Sequence, residues 1–380
     1  MKKPLLSVVI PCYNEEKTIG RCIKDAKRTC ELNKIPYEII VVNNNSKDNS
    51  AKIAKKEGAK VVLEKKQGYG HAYNKGFTVA KGEFIFMADG DYTYDFKEIP
   101  KFYSQIEKGY EFIIGNRFTK KMESGAMPRL HKYIGNPFLS GLINILFHNN
   151  IKDTQCGARL IKKTTYEKLK LQSKGMEFAS EMIIKATKQK IKIKQIKISY
   201  KTREGKSKLS SFSDGWRHLR FILMMNPTAT YIIPGTILSF LGIILFGVLF
   251  GGPKTIAGLT FYEHPLFLAS ILLISGTQLL FTGYFVKTLS ISYFKEKSNL
   301  INKIQNKVTL ERGMFIGTIL LLTSIIWGLT ILSNWIDKGF SELHEIRTGI
   351  LLLTLATISV QIIINSFYFY TIKAINEEQL

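Results

Sequence analysis

The sequence predicts an α/β domain with a mainly parallel sheet, followed by an all-α region of four transmembrane helices. Short apolar runs alternate with helical stretches up to Pro227. After it come four apolar segments, at 228–250, 266–286, 314–335 and 349–370, with no charged residue inside any of them. The charge divides at the same place: 44 of the 54 Lys+Arg and 22 of the 30 Asp+Glu lie before residue 228. The expected organisation is a soluble domain over 1–209, a juxtamembrane helix over 210–227 and a membrane region over 228–372.

The strands read in order as the runs 5–10, 38–42, 60–63, 84–88 and 111–114, each closed by Pro, Asn, Gly or Asp. Between the first two, 15–30 sets Ile19 and Ile23 on one helical face. Strand–helix–strand repetition needs crossover connections, which implies parallel pairing. The runs 191–193 and 196–198 alternate Ile with Lys, the pattern of a half-exposed edge strand. The stretches 133–147 and 216–225 mix apolar and aromatic residues with polar ones, and the second carries Arg217, His218 and Arg220. Both fit helices lying in the head-group plane, or ordinary helices packed on the sheet.

Each long apolar segment holds roughly the 20 residues that a bilayer crossing requires. The loop 287–313 carries six Lys+Arg, against one in 251–265 and two in 336–348. The positive-inside rule then places the middle loop, both termini and the basic domain in the cytoplasm. The N-terminal run 5–10 is too short for a signal-peptide core. A domain carrying most of a formal net charge of +24 seeks anions: nucleic acid, anionic lipid or phosphorylated substrates. The adjoining membrane region argues against nucleic acid. Cys12, Cys22, Cys30 and Cys156 show neither a CxxC nor a metal-ligand spacing and read as thiols of a reducing compartment.

The chemistry centres on Phe84-Ile-Phe-Met-Ala-Asp89-Gly-Asp91, an apolar strand ending in two carboxylates one residue apart. In open α/β sheets, ligands bind at the carboxyl ends of strands. Two carboxylates there suit a divalent cation, Mg²⁺ or Mn²⁺, which in turn clamps a diphosphate. Asp-Gly-Asp is also ordinary turn chemistry, so the pair alone leaves both readings open.

The first strand continues Ser7-Val-Val-Ile-Pro11-Cys-Tyr13-Asn14-Glu15-Glu16, and the second ends in Asn43-Asn44-Asn-Ser46-Lys-Asp48. With Gln67-Gly68-Tyr-Gly70, Asp89/Asp91 and Ile113-Ile-Gly115-Asn-Arg117, this order and spacing resembles the family-2 glycosyltransferases of the GT-A nucleotide-diphospho-sugar transferase fold. The resemblance runs from Leu5 to about Arg220. Asp153-Thr-Gln155-Cys-Gly157-Ala-Arg159 is similar to an element of dolichyl-phosphate glucosyltransferases. Arg203-Glu-Gly205-Lys206-Ser-Lys208 is similar to an element of the wider polyprenyl-phosphate hexosyltransferase group, some of whose members carry C-terminal membrane helices.

The resemblance implies inverting transfer of a hexose from a nucleotide-sugar to a polyprenyl or dolichyl phosphate. The donor expected first is UDP-glucose, with GDP-mannose as the alternative. Pro11, Tyr13, Glu15, Asn43, Asn44, Gln67 and Gly68 would line the nucleotide site. Asp89 and Asp91 would hold the metal. Arg117, Arg129, Arg203, Lys206 and Lys208 would meet the acceptor phosphate, although a basic membrane-facing loop explains the two lysines equally well. Asp153, Gln155 and Glu181 would position the sugar, with a structural role equally open for Glu177 and Glu181. An acceptor phosphate is already ionised near neutral pH and needs no strong base. Two departures stand out: Asn43-Asn44 replaces the usual Asp-Asp, and Thr93 stands where mannosyl members often have Gln. A processive synthase would need a Gln-x-x-Arg-Trp motif, which is missing. A flippase with a regulatory soluble domain would need charges within the spans, and there are none. Oligomeric state is left open.

Overall fold

A computed structural model of the chain describes residues 3–119, 121–205, 211–294, 309–340 and 345–378. They form two compact units, Met1–Ile222 and Leu223–Leu380.

The first unit is built on a seven-stranded sheet of order β3-β2-β1-β4-β6-β5-β7. Its strands are β1 (Leu6–Cys12), β2 (Tyr37–Asn43), β3 (Lys60–Leu63), β4 (Phe84–Met87), β5 (Phe112–Asn116), β6 (Arg159–Lys162) and β7 (Ile193–Lys197). β1 pairs in parallel with β2 and β4, and β2 with β3, so their carboxyl ends share one edge of the sheet. All four residues of β4 are buried, as a strand covered on both faces requires. β7 lies at the sheet edge, parallel to β5, and reads Ile-Lys-Gln-Ile-Lys with no fully buried residue, so it does not keep a strict alternation. β6 is the element that sequence reading passed over: it runs antiparallel between β4 and β5. Its Arg-Leu-Ile-Lys has only two apolar residues, too few for a visible period, and its pairing with two strands comes from tertiary context.

The crossover helices are α1 (Ile19–Leu32), α2 (Ser50–Lys56) and α3 (Tyr69–Val79), followed by α4 (Ile99–Tyr103), α5 (Asn136–Phe147), α6 (Lys163–Leu169), α7 (Phe178–Lys188) and α8 (Ser211–Met224). α1 starts later than its apolar pattern predicts. Residues 15–18 form a turn in which Thr18 and Ile19 donate their backbone N–H groups to Glu15 O, which leaves 13–16 as a loop at the end of β1. α3 lies close on the sheet because residue 76 is glycine: a Cβ there would sit 2.4 Å from Val9 and 2.9 Å from Val42. Large apolar side chains remain exposed on α5 and the turn before it (Tyr133, Ile134, Phe138, Ile145) and on α8 (Phe212, Trp216).

Among the described residues, the second unit holds four helices long and apolar enough to cross a membrane: Thr228–Leu249, His264–Ser290, Leu310–Asp337 and Ile346–Ile372. They belong to α9 (Ile233–Leu249, after a π turn), α10 (His264–Phe294), α11 (Leu310–Asp337) and α12 (Ile346–Glu378). A short hairpin, β8 (Lys254–Ile256) with β9 (Leu259–Phe261), joins the first two. Small residues set the helix contacts, as lipid-embedded packing demands. Gly235 and Gly242 of α9 lie against the backbone of α10, and Gly313 and Gly317 of α11 against α12. A hydroxyl pair, Ser270 to Thr354 at 2.7 Å, ties α10 to α12.

Candidate active site

The carboxyl ends of β1, β2 and β4 bring three loops together. The loop after β1 and the loop after β2 hold each other by reciprocal hydrogen bonds. Asn14 N donates to Ser46 Oγ (3.1 Å), Glu15 N to Ser50 Oγ (2.8 Å) and Glu16 N to Asp48 Oδ2 (3.1 Å). In return Lys47 N donates to Asn14 Oδ1 (2.8 Å). Asn14 takes a left-handed φ of 53°, which an asparagine tolerates and which turns the chain sharply after β1. Pro11, Tyr13 and Glu15 are thereby held half-buried at this edge.

Asn43 and Asn44 both hold the loops around them. Asn43 Oδ1 accepts from Ser46 N, closing the turn. The Asn44 amide donates to Glu64 O (3.0 Å) and Lys66 O (2.8 Å), while its oxygen accepts from Gly68 N (2.9 Å). Asn44 is buried and is a positioning residue for the Gln67–Gly68 loop, which corrects the expectation of a base-reading side chain. Gln67 itself is exposed. Gly68 has φ 149°, and a Cβ there would lie 2.3 Å from Lys174 O, so only glycine fits at the start of α3.

Asp89 and Asp91 follow β4. Asp89 is half-buried and accepts hydrogen bonds from the hydroxyls of Tyr73, at 3.1 Å, and Tyr69. Gly157 packs so close that a Cβ would stand 2.9 Å from Asp89 Oδ2. Burial first, and the charge of Asp91 second, push the Asp89 carboxyl up to about 7, while the two tyrosine hydroxyls act in the opposite sense. Burial also raises Tyr69, Tyr73 and Tyr94 well above the ordinary phenol range, so each remains a donor. Asp91 Oδ1 accepts from Thr93 N (3.1 Å) and Thr93 Oγ1 (2.6 Å), which commits the Thr93 hydroxyl to orienting this carboxylate. Among the described residues no third His, Cys, Asp or Glu joins the pair. Two carboxylates alone suit a hard cation that keeps water and phosphate oxygens in its remaining positions.

The residues expected to meet the acceptor phosphate sit in different surroundings. The Arg203 guanidinium reaches Glu15 Oε1 at 2.8 Å and Asp91 Oδ2 at 3.2 Å, so it stands beside the carboxylate pair. The Arg117 fork is occupied: Nε and Nη2 each donate to Asp153 at 2.8 Å, its backbone N donates at 3.0 Å, and the guanidinium lies over Tyr200. Burial works against the Arg117 charge, but Asp153 outweighs it and keeps the guanidinium charged. Asp153 is fully buried with both oxygens on Arg117, so its side chain orients Arg117 instead of meeting a sugar. Arg129 is exposed just before the π turn at 131–135, which exposes Tyr133 and Ile134. Lys206 and Lys208 lie outside the described residues.

Glu181 is also committed. It is fully buried, accepts from the backbone of Gln172 and Ser173, and pairs with Lys185 at 2.8 Å, which selects the structural alternative. Gln155 stays half-buried, its amide nitrogen bound to Thr154 Oγ1 and Ser180 Oγ. Sequence reasoning missed Arg159, which lies fully buried and donates to Thr154 O, Cys156 O and Ala179 O. It clamps the 153–157 loop behind Asp89. An arginine ending a Cys-Gly-Ala-Arg run was its only signal. Tyr69 and Tyr73 were missed because apolar packing accounts for helical tyrosines equally well.

The model of glycosyl transferase family 2 matches residues 7–170, and that of the glycosyltransferase family 2 C-terminal transmembrane region matches 290–373. A low-salt glycan biosynthesis hexosyltransferase, Agl6, of Haloferax volcanii is 34% identical over 365 residues, which is 96% of this chain and 88% of that protein. The chain belongs to glycosyltransferase family 2. A dolichyl-phosphate hexose transferase of the same organism is 30% identical over 55% of this chain and 89% of its own length. A dolichyl-phosphate beta-glucosyltransferase of Dictyostelium discoideum is 27% identical over 55% and 69%. A glucosyl-3-phosphoglycerate synthase of Mycobacterium tuberculosis, solved with Mn²⁺ and UDP-glucose, is similar at 18% identity and a TM-score of 0.47, over 59% of this chain and 79% of that one. This glycosyltransferase is a hexosyltransferase and a multi-pass membrane protein. Its matched catalytic segment contains Asp89, Asp91, Arg117 and Arg159, whereas Glu181 and Arg203 lie beyond it.

Proposed function

We propose that this family-2 enzyme transfers a hexose from a nucleotide-sugar to a polyprenyl or dolichyl phosphate at the cytoplasmic leaflet, with inversion at the anomeric carbon. The observation that carries the reading is the Asp89/Asp91 pair at the end of β4, with the Arg203 guanidinium 3.2 Å from Asp91. Relatives named for dolichyl-phosphate hexose transfer supply the acceptor class.

A divalent cation held by Asp89 and Asp91 would neutralise the donor diphosphate and help the nucleoside diphosphate depart. Tyr69 and Tyr73 orient Asp89, and Thr93 orients Asp91. Glu15 holds Arg203 beside Asp91, where an arginine fork suits phosphate oxygens. An acceptor phosphate oxygen attacks the anomeric carbon as its bond to the donor phosphate breaks, so an α-linked donor gives a β-linked lipid product. Arg117, its plane fixed by Asp153, lends positive charge to the site from its buried position. Arg129, beside Leu130, Tyr133 and Ile134, offers charge and apolar surface where a lipid phosphate would arrive. In the second unit, the Lys/Arg-rich loop at 287–313 favours a cytoplasmic position for that loop and both termini.

The donor in this reading is UDP-glucose. Its support is the Asp153-Thr-Gln155-Cys-Gly157 element together with Thr93 bonded to Asp91. The test is incubation of membranes carrying the full chain with labelled UDP-glucose or GDP-mannose, plus a polyprenyl phosphate. Label should enter the lipid faster from UDP-glucose. Faster entry from GDP-mannose reverses the donor, and no labelled lipid from any nucleotide-hexose removes the acceptor assignment.

A further inference from the structure

One line of hydrogen bonds runs through the first unit from α5 to α8 and passes through Gln155. On α5, buried Ser140 Oγ lies 3.0 Å from Thr154 Oγ1 and accepts from Thr154 N. Gln155 Nε2 donates to Thr154 Oγ1 at 3.0 Å and to Ser180 Oγ at 3.2 Å. Ser180, on α7 and fully buried, is 2.9 Å from Nδ1 of His218 on α8. His218 is 6% exposed, on a helix whose Phe212 and Trp216 are 89% and 56% exposed. The two helices joined by this line carry, with the turn before α5, most of the exposed large apolar side chains of the unit.

The proton count along the line is specific. Burial pulls His218 down to about 4, against the charge of Glu177, so the ring is neutral near pH 7. We take the tautomer with the proton on Nε2, in which the ring accepts at Nδ1 and the single Ser180 hydroxyl proton goes there. The Ser180 lone pairs are then left to accept the second amide hydrogen of Gln155. Both hydrogens of that amide are committed, so Oε1 is the end of the group left to face a ligand. Gln155 is two residues before Gly157, which abuts Asp89.

We infer that His218 is a positioning residue: through Ser180 it fixes which end of the Gln155 amide faces the donor hexose, and so gives the site an acceptor for a sugar hydroxyl. Without an acceptor at Nδ1, the Ser180 proton turns back toward Gln155, and the amide flips to present its NH₂ instead. The inference rests on the hexosyl-transfer reading, in which Gln155 faces the sugar.

The experiment measures equilibrium binding of labelled UDP-glucose, with GDP-mannose in parallel, and of UDP alone, to the full chain in detergent. This needs no lipid acceptor, so a wrong acceptor assignment leaves the test intact. His218→Leu should weaken nucleotide-hexose binding about tenfold, the scale of one misdirected hydrogen bond, with UDP binding unchanged. His218→Asn, whose side-chain oxygen can stand at the Nδ1 position, should restore most of the loss. In a Gln155→Ala background, itself weakened for the hexose, His218→Leu should add nothing further. Equal losses for UDP and UDP-glucose, or equal effects of His218→Leu in both backgrounds, overturn the inference and make His218 a packing residue. Unchanged hexose binding in Gln155→Ala overturns it too, by removing Gln155 from the sugar site. A melting temperature within a few degrees of the parent is required of His218→Leu. If that variant unfolds, Ser180→Ala replaces it under the same criteria.

Discussion

Replacing Asp89 by asparagine should make the protein more stable in EDTA at pH 8 while abolishing transfer. The carboxyl is raised from 3.8 to about 7 by burial and by Asp91. A group raised on folding contributes its full stability below its unfolded value and loses it as pH climbs through its folded value. Between about pH 4 and pH 7 the metal-free protein therefore loses stability as pH rises, and above that range it carries the whole penalty. At roughly 1.4 kcal/mol per unit the shift amounts to a few kcal/mol, and the solvent that still reaches Asp89 reduces this to about 1–3 kcal/mol. Asparagine keeps the oxygen that accepts from Tyr73 and Tyr69 but carries no charge. Thermal melts of the full chain in detergent and EDTA, from pH 4 to pH 8.5, make the comparison. The parent should lose stability up to about pH 7 and then level off, Asp89→Asn should stay flat, and the two should converge near pH 4. Millimolar Mn²⁺ should raise the parent's melting point at pH 8 and leave the variant's unchanged. A variant that melts below the parent at pH 8 in EDTA, or that shows the parent's pH slope, would refute the electrostatic reasoning.

Asp91→Ala should remove most transfer activity while the protein still folds and inserts, and near-normal turnover, or full activity in excess EDTA, would sink the metal role. Arg117→Ala leaves buried Asp153 without its partner, so it should cost about 3–5 kcal/mol. Arg117→Ala with Asp153→Ala should cost less than the single changes combined, and strict additivity in denaturant melts would show that the pair is uncoupled. Asn44→Ala frees Gly68 N and two carbonyls, so it should cost about 2–3 kcal/mol and weaken nucleotide-sugar binding, whereas an unchanged melt with weakened binding would restore a direct contact. The four native cysteines are buried, so single introduced cysteines report topology cleanly. Thr255→Cys should react with an impermeant maleimide from outside the cell and Ser298→Cys should not, and the opposite result inverts the membrane orientation.

By itself the sequence determined the class of fold and the change to long apolar helices after Pro227, and it pointed to Asp89 and Asp91 as the candidate site. Each depends on features that repeat or cluster along the chain: strand-length apolar runs, four uncharged segments of bilayer length, and Asp89-Gly-Asp91 closing a strand. Such local patterns fix which groups meet water or lipid, so they survive without knowledge of distant neighbours. Tertiary structure alone decided what each polar side chain does. Asn44, Asp153 and Glu181 look like ligand contacts in one dimension, yet folding gives each of them protein hydrogen-bond partners at both ends of its polar group. Arg203 is matched to carboxylates 188 and 112 residues upstream in the chain, Glu15 and Asp91, which no spacing rule connects. β6 pairs between two strands with only two apolar residues of its own, and Arg159 is buried against three carbonyls. A buried polar atom must find a partner at a cost of about 1–3 kcal/mol if it fails, and which partner it finds is a property of the packed chain.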